Sequence, residues 1–383
     1  MVVMNAITSL FAAMPGAPVE TSHFVSTFIS WIQGLVGNYG WTVVLFTVAL
    51  KLIMSPLDFW QRHSMYKNAR IQKRTAPQVA KLQKQYANNR QMFQQKQLEL
   101  YRKEGYSVFG GCLPMIITLV LFFVIFAGFN ETTTFNASQE YYQIATIWEE
   151  TYNEVYDDKA DEVATELQNA YDTAYNAVIA QDPTDTVEAE SAGIAAKRAY
   201  MSRFEAEFRA AADQAVLDGY KPTSWLWVTN VFMSDNWSAK IPDYDTFSGA
   251  GLGKLGITAD KMVTNAEDYN KHTAALRKEY GGWNGYLILP VLTIVSTFLG
   301  QFLSKKMTPN QPGNEQNAQQ AKMMQWMMPV MMGFFSLFYS GIFTIYLLIS
   351  QVISLLTQVG FNVYSKIVDK KEEDLRLRTT FKH

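Results

Sequence analysis

The sequence of 383 residues has a single cysteine, Cys112, and four histidines that are scattered along it. One cysteine excludes an internal disulfide framework and a cysteine-based metal cluster. The histidines lack the spacing of metal ligands, so we expect no metal site. The chain also has no glycine-rich loop of the nucleotide-binding type. These absences disfavour a metalloenzyme or a nucleotide-driven machine, and we expect no cofactor.

The first fourteen residues lack the basic flank that usually opens a signal peptide, and their apolar core is short. This composition disfavours a cleaved signal peptide. No cysteine is present there for a lipid anchor.

Charge is nearly missing from the long apolar runs. The runs cover residues 39–57, 108–129, 283–303 and 323–365, and Lys51 is the one charged residue in them. About 20 helical residues cross a ~30 Å hydrocarbon layer, and the last run is twice that length, so it must turn once. Tyr339-Ser340-Gly341 is the best place for the turn. The sequence therefore predicts an all-α polytopic membrane protein with spans at 39–58, 108–130, 283–303 and, as a pair, 326–364.

The segments between the spans carry opposite charge. Residues 60–106 contain eleven Lys or Arg against two acids, a balance of +9, whereas residues 131–224 contain nineteen acids against six bases, a balance of −13. Basic loops face the cytoplasm, so we expect the N-terminus outside the membrane and the C-terminus in the cytoplasm. The pattern predicts a basic cytoplasmic helical hairpin at 59–107, with a kink or a new helix start at Pro77.

The other segments complete the expected organisation. Residues 1–38 form an N-terminal segment with an interfacial amphipathic helix, whose apolar face carries Phe24, Phe28, Ile32 and Leu35. Residues 131–224 form an acidic extracytoplasmic insertion, predicted as an antiparallel helix pair that Asp182-Pro183 divides. Residues 225–282 form an interfacial segment and outer loop. Residues 304–325 and 365–383 form a cytoplasmic loop and a cytoplasmic tail.

Polar residues recur at helical spacing inside the spans. The stripes are Thr47, Lys51 and Ser55 on the first span; Thr118 on the second; Thr293, Thr297 and Gln301 on the third; and Tyr346, Ser350, Ser354 and Gln358 on the last. Residues four apart share one helix face. We interpret these stripes as the lining of a hydrophilic groove in which Lys51 is the sole formal charge.

Two simpler interpretations stay open. Small hydroxyl residues often only pack membrane helices against one another. Lys51 lies about 10 Å of helix from Asp58, so its stem could extend to the inner interface without any function.

An ordered set of short motifs resembles a known family. The motifs are the run Leu50 to Leu57, Ala76-Pro77, Gly110 to Pro114, Leu289-Pro290, Met328-Pro329-Val330 and Ser340-Gly341. Together they resemble the five-span core of the YidC membrane protein insertases, over about residues 25–130 and 283–365. Three positions differ from the family's usual pattern: Lys51 replaces an arginine, Thr118 a glutamine and Tyr339 a proline.

The resemblance implies a non-enzymatic insertase and chaperone of the bacterial plasma membrane. Its groove, lined by Lys51, Thr47, Ser55, Thr118, Thr297, Gln301, Tyr346 and Ser350, would receive polar flanks of nascent membrane proteins and release their apolar segments into the bilayer. The implied partners are nascent membrane proteins and lipid, with the Sec translocon and the ribosome as candidates and no specific nucleic acid.

Two other functions remain alternatives. A small-solute channel or transporter would also need polar residues between the spans, but a proton-coupled carrier usually has an intramembrane acid or internally repeated broken helices, and neither is found in these spans. A scaffold for envelope complexes could instead use the outer helix pair.

Overall fold

A computed structural model describes residues 23–107, 109–249, 265–305 and 315–380. Residues 1–22 of the predicted N-terminal segment, Val108 at the start of the predicted second span, 250–264 of the outer loop, 306–314 of the cytoplasmic loop and the last three residues lie outside these ranges. The helices are α1 Phe24–Val36, α2 Tyr39–Gln85, α3 Arg90–Lys103, α4 Phe109–Ile179, α5 Thr186–Gly219, α6 Tyr244–Gly249, α7 Ala266–Glu279, α8 Ile288–Lys305, α9 Glu315–Phe338 and α10 Gly341–Thr380. Within the described ranges the fold is all-helical and has no strand, as expected.

Three described helices are long and apolar enough to cross a membrane: Tyr39–Gln85, Ile116–Ile179 and Gly341–Lys371. Shorter apolar helices cover Phe24–Val36, Ile288–Ser304 and Pro329–Phe338. These features fit a helical membrane protein. The chain leaves α9 at Phe338 and starts α10 at Gly341, where the sequence placed the turn.

Helix α2 runs unbroken from Tyr39 to Gln85 and includes both Pro56 and Pro77. It has no new helix start at Pro77, where the sequence analysis expected a kink or a restart. Proline lacks the N–H that would bond to the carbonyl four residues earlier. For Pro56 that carbonyl belongs to Leu52, and it accepts a hydrogen bond of 2.8 Å from the Ser55 hydroxyl instead. Ser55 thus satisfies a backbone group within an apolar stretch.

Helix α1 buries one face against the protein and exposes its largest apolar residues. Its buried residues are Val25, Ser26, Ile29 and Ile32, while its large exposed residues are Phe24, Phe28, Trp31 and Leu35. Ser26 is buried because it accepts a hydrogen bond of 3.0 Å from Thr132, and the lack of a side chain at Gly128 lets Val25 pack against α4. The strongly apolar face therefore points away from the protein, as suits a helix that lies in lipid.

Two compact units divide the described chain. The core unit contains residues 23–133 apart from 108, residues 223–238, and residues 283–380 apart from 306–314. The outer unit contains residues 134–222 and 239–282, apart from 250–264.

Apolar helices of the core unit that follow one another along the chain alternate in direction. Helices α2 and α10 are parallel, since Lys51 contacts Ser354 and Tyr66 contacts Asp369. Helix α4 is antiparallel to α10, with Thr133 beside Ser340 and Phe129 beside Tyr346. Helix α8 is antiparallel to α9, with Ile294 beside Gly333 and Phe298 beside Trp326.

Residues 223–238, which we call the cap segment, cover the N-terminal ends of α8 and α10. The buried carboxylate of Asp235 accepts hydrogen bonds from the backbone N–H of Leu289 at 2.7 Å, that of Tyr286 at 2.9 Å and the indole N–H of Trp227 at 3.2 Å. A carboxylate at a helix N-terminus is favoured by the unpaired N–H groups and the helix dipole.

The cap segment also closes the turn between α9 and α10. The N–H groups of Gly341 and Ile342 donate to the carbonyls of Met233 and Val231, each at 2.9 Å, and Asn236 donates to the carbonyl of Leu337 at 2.6 Å. Unpaired backbone groups are costly away from water, so these bonds let the helix ends be buried.

In the outer unit, the C-terminal part of α4 and helix α5 form the antiparallel pair that the sequence predicted. Lys159 pairs with Glu207, and Lys197 donates to Gln168 at 3.1 Å. The apolar core between the helices contains Ile144, Trp148, Tyr152, Val163, Phe204, Phe208, Ala212 and Val216. Helix α7 contributes Leu276 to the same core.

A buried polar cluster joins α4 to α7. The Glu149 carboxylate lies 2.7 Å from both Lys271 Nζ and His272 Nε2, and the Tyr141 hydroxyl lies 3.1 Å from His272 Nδ1. Burial by itself raises the pKa of Glu149, but the hydrogen bonds from His272 and Lys271 outweigh it and leave the pKa below its usual value of 4.5.

The lowered pKa of Glu149 predicts that the outer unit loses stability in acid. A carboxyl whose pKa is lower in the folded state stabilises fully above its unfolded value, near 4.5, and loses this effect as the pH falls through the folded value. Amide hydrogen exchange of α4 and α5 peptides should therefore lose protection below about pH 4.5. Glu149→Gln should lower the protection at neutral pH and make it less dependent on pH. Glu150→Gln, a change at the exposed neighbouring residue, should leave the pH dependence of protection as in the wild type. If Glu149→Gln had the same pH dependence of protection as the wild type, this role of Glu149 would be contradicted.

The cap segment yields a prediction at Gly285, where a Cβ atom would overlap the Asp235 carboxylate. Gly285→Ala should displace Asp235 and cost about 2 kcal/mol, a typical penalty for overpacking. Thermal unfolding in detergent should show a lower midpoint. Gly34→Ala is the matched control, because a Cβ there meets nothing within 4 Å. Equal midpoints for the two variants would show that the Asp235 contacts do not hold the cap segment.

Candidate functional site: the polar face between α2 and α10

Lys51 lies inside the apolar part of α2 and reaches α10. Its Nζ atom donates a hydrogen bond of 3.2 Å to the hydroxyl of Ser354, and its side chain is half-buried. The predicted polar stripes of α2 and α10 therefore meet at this pair. A charged amine in an apolar helix costs roughly 2.5 to 3.5 kcal/mol on insertion scales, and such residues normally face protein or water.

The neighbours of Lys51 on its stripe bond to their own helix. Thr47 is fully buried, and its hydroxyl donates to the carbonyl of Val43 at 2.6 Å. Ser55 is exposed and donates to Leu52, as described above. These bonds reduce the cost of burying the hydroxyls. Lys51 is thus the member of this stripe that links α2 to another helix.

Two of the three residues of the predicted stripe on α8 are buried. Thr293 and Thr297 donate to carbonyls one turn earlier, at 2.8 and 2.7 Å. Gln301 is half-buried, and its Oε1 atom has no hydrogen-bond partner among the described residues. An unpaired buried oxygen costs about 1 to 3 kcal/mol, so Gln301 has unmet capacity to accept a hydrogen bond.

Other predicted groove residues lie in different surroundings. Tyr346 is buried, and its ring packs 5.2 Å from that of Phe129 and 6.0 Å from that of Phe343. Ser350 is half-buried on α10, and Thr118 is exposed on α4. The structure therefore joins Lys51 to α10 directly, while Tyr346 belongs to an aromatic cluster.

Arg62 is a second cation on the same face, which the sequence analysis counted only as part of the basic hairpin. Its guanidinium donates to the side chain of Gln358, and to the carbonyl of Ser354 and the hydroxyl of Thr357 at 3.3 Å each. Lys51 is therefore not the sole charge beside the α10 stripe. Helical spacing could have found Arg62, because residues 47, 51, 55, 58 and 62 follow one another by three or four.

The pairing of the two helices continues towards their C-terminal ends. Tyr66 donates to Asp369, and Arg70 lies 3.9 Å from the same carboxylate. Helix α3 packs against the end of α2 through Phe93, Tyr101 and Val79. The polar face thus leads from the apolar part of α2 into a strongly basic segment.

Comparison with known proteins identifies the family. A family model described as 60Kd inner membrane protein matches residues 31–176 and 213–370. Proteins named membrane protein insertase YidC are similar over shorter stretches. The protein from Bordetella pertussis is 38% identical over 100 residues, which are 26% of this chain and 17% of that protein. Those from Stenotrophomonas maltophilia and Leptospira interrogans are 39% and 36% identical over 98 and 97 residues, covering 26% and 25% of this chain and 16% and 15% of theirs.

The matched stretches span about a sixth of the length of these curated relatives. The family model, in contrast, covers most of this chain, including α2, nearly all of α4, α8, α9 and most of α10. The chain belongs to the 60Kd inner membrane protein family, the family of YidC.

Proposed function

We propose that the chain is a membrane protein insertase and chaperone of the bacterial inner membrane. It receives polar ends of nascent membrane proteins in a hydrophilic groove and releases their apolar segments into the bilayer. One observation carries the proposal: Lys51, within the apolar part of α2, is held by the polar stripe of α10. Family membership and the relatives named as insertases support it.

The proposal includes five spans, formed by α2, the first part of α4, α8, α9 and the first part of α10. Their alternating directions suit a chain that crosses a membrane at each of these helices. The 18 residues of α8 give about 27 Å of helix, close to the hydrocarbon thickness. The basic segment at the end of α2 favours a cytoplasmic side there. The N-terminus is then outside, the C-terminus inside, and the acidic insertion at 131–224 extracytoplasmic.

The groove has one covered end and one end rich in cations. The cap segment covers the N-terminal ends of α8 and α10, which are the outer ends in this orientation. At the inner end, α2 continues as the basic helix. Large apolar residues are exposed on α2 and α4, including Leu52, Ile53, Val120 and Phe123. These surfaces suit contact with lipid, so the groove lies between lipid and the cytoplasm.

The proposed mechanism lowers a desolvation barrier and needs no nucleotide or cofactor. A polar group without a partner in hydrocarbon costs several kcal/mol. Lys51 and the α10 hydroxyls offer such partners to the short tail of a substrate. Transfer of the substrate's apolar helix into lipid then supplies the driving force, since burial of apolar area is favourable. The protein acts as a chaperone for this step, without enzymatic chemistry.

The proposed partners are nascent membrane proteins and the bilayer. The exposed cations of the basic segment, among them Lys67, Lys73 and Lys81, suit anionic lipid headgroups. The Sec translocon and the ribosome are further candidates in the same cytoplasmic and membrane setting.

The proposed function predicts a charge requirement at Lys51. Lys51→Ala and Lys51→Glu should reduce the insertion of a single-span substrate with an acidic tail, about tenfold if the lost attraction is near 1.4 kcal/mol. Lys51→Arg should insert normally, because it keeps the charge. Protease protection of the substrate tail in inverted membrane vesicles measures insertion. Lys67→Ala, at an exposed cation of the same helix, is the control.

Equal insertion by Lys51→Ala, Lys51→Glu and the wild type would refute the role of the groove charge. Crosslinking from positions 47, 51 and 118 to a stalled nascent chain then tests the groove itself. Contacts only with lipid or with neighbouring helices would reject the insertase. A solute flux in purified vesicles would instead support a channel or transporter.

A further inference from the structure

Lys51 and Arg62 converge on a single residue of α10. Lys51 Nζ lies 3.2 Å from the hydroxyl oxygen of Ser354, and the Arg62 guanidinium lies 3.3 Å from its carbonyl oxygen. The two residues are three helical turns apart on α2, yet their charged groups contact the same residue. A carboxylate placed beside Ser354 would therefore be within reach of both cations.

The partners that hold these cations on α10 are uncharged. Ser354, Thr357 and Gln358 supply hydroxyl, carbonyl and amide oxygens, and residues 323–365 contain no charged residue. Arginine has five N–H donors and lysine has three, so these contacts leave donors available on both groups. Neutral acceptors fix the two side chains without neutralising them.

Asp58 is the acid nearest to this pair along α2. It lies between the two cations in sequence and interacts electrostatically with both. The spacing 51, 58 and 62 places all three residues on one face of the helix. Two cations and one acid leave a net charge of +1 on this face.

We infer that Lys51 and Arg62 form one two-cation site at Ser354 for a carboxylate of the substrate tail, and that Asp58 is the internal anion with which this carboxylate competes. The inference rests on the proposed function and assigns Arg62 and Asp58 as specificity-determining residues. The local charge, and not Lys51 alone, sets the preference for acidic tails. Asp58 offsets the repulsion between the two cations while no substrate is bound.

A set of charge variants tests this assignment. Insertion is compared for two substrates that differ only in the tail, one with aspartates and one with asparagines. Arg62→Gln should reduce insertion of the aspartate substrate about fivefold relative to the asparagine substrate, and Asp58→Asn should raise the same ratio. The double variant Asp58→Asn/Arg62→Gln restores the net charge of +1 and should return the ratio towards the wild-type value.

The controls separate charge from structure. Arg62→Lys keeps the charge but loses the planar fork, so the ratio should stay near the wild-type value. Lys67→Gln removes an exposed cation of the same helix and should leave the ratio unchanged. A role as a mere tether between α2 and α10 predicts a different result: Arg62→Gln would impair both substrates equally, and Asp58→Asn would not compensate.

Failure of this inference can be distinguished from failure of the proposed function. If Lys51→Glu abolishes the preference for the aspartate substrate while Arg62→Gln behaves like Lys67→Gln, the two-cation site is refuted and the insertase stands. If the wild-type protein inserts neither substrate, the proposed function is refuted and the site with it.

Discussion

The cost of placing a charged amine among apolar helices constrains the rest of the core unit. Lys51 can stay charged only where polar atoms or water replace its hydration shell. Helix α10 supplies such atoms at Ser354, one turn from Gln358. The same requirement explains why a helix with no charged residue before Lys366 still carries a polar stripe. A purely apolar α10 would leave the lysine without a partner.

Backbone N–H and C=O groups also need hydrogen-bond partners where water is absent. This need limits where the helices can end. The carbonyl that Pro56 leaves free is bonded by Ser55, so α2 continues through an apolar region without an unpaired group. In the cap segment, Asp235 caps the N-terminus of α8, and backbone carbonyls accept hydrogen bonds from the first N–H groups of α10. The polar face between α2 and α10 thus lies on helices whose backbone groups at Leu52, Gly341 and Ile342 are bonded to other protein groups.

Run lengths and charge balances were enough to predict an all-helical membrane protein, the turn before Gly341 and the antiparallel pair around Asp182. These features depend on local composition and spacing. The buried face of α1 could not be predicted in the same way, because in a membrane the most apolar side can face lipid and the smaller, more polar side can face protein. Ser26 is buried there through its bond to Thr132, which lies 106 residues away.

Arg62 illustrates the corresponding limit at the candidate site. Its spacing from Lys51 places it on the polar face, but only contacts with residues 292 to 296 positions away show that it reaches α10. The chemistry of those contacts also matters. An acid on α10 would form an ion pair with each cation and neutralise it, whereas hydroxyl, carbonyl and amide oxygens hold the cations in place and leave their charge available. The proposed carboxylate site requires cations that remain available, and the neutral partners on α10 meet this requirement.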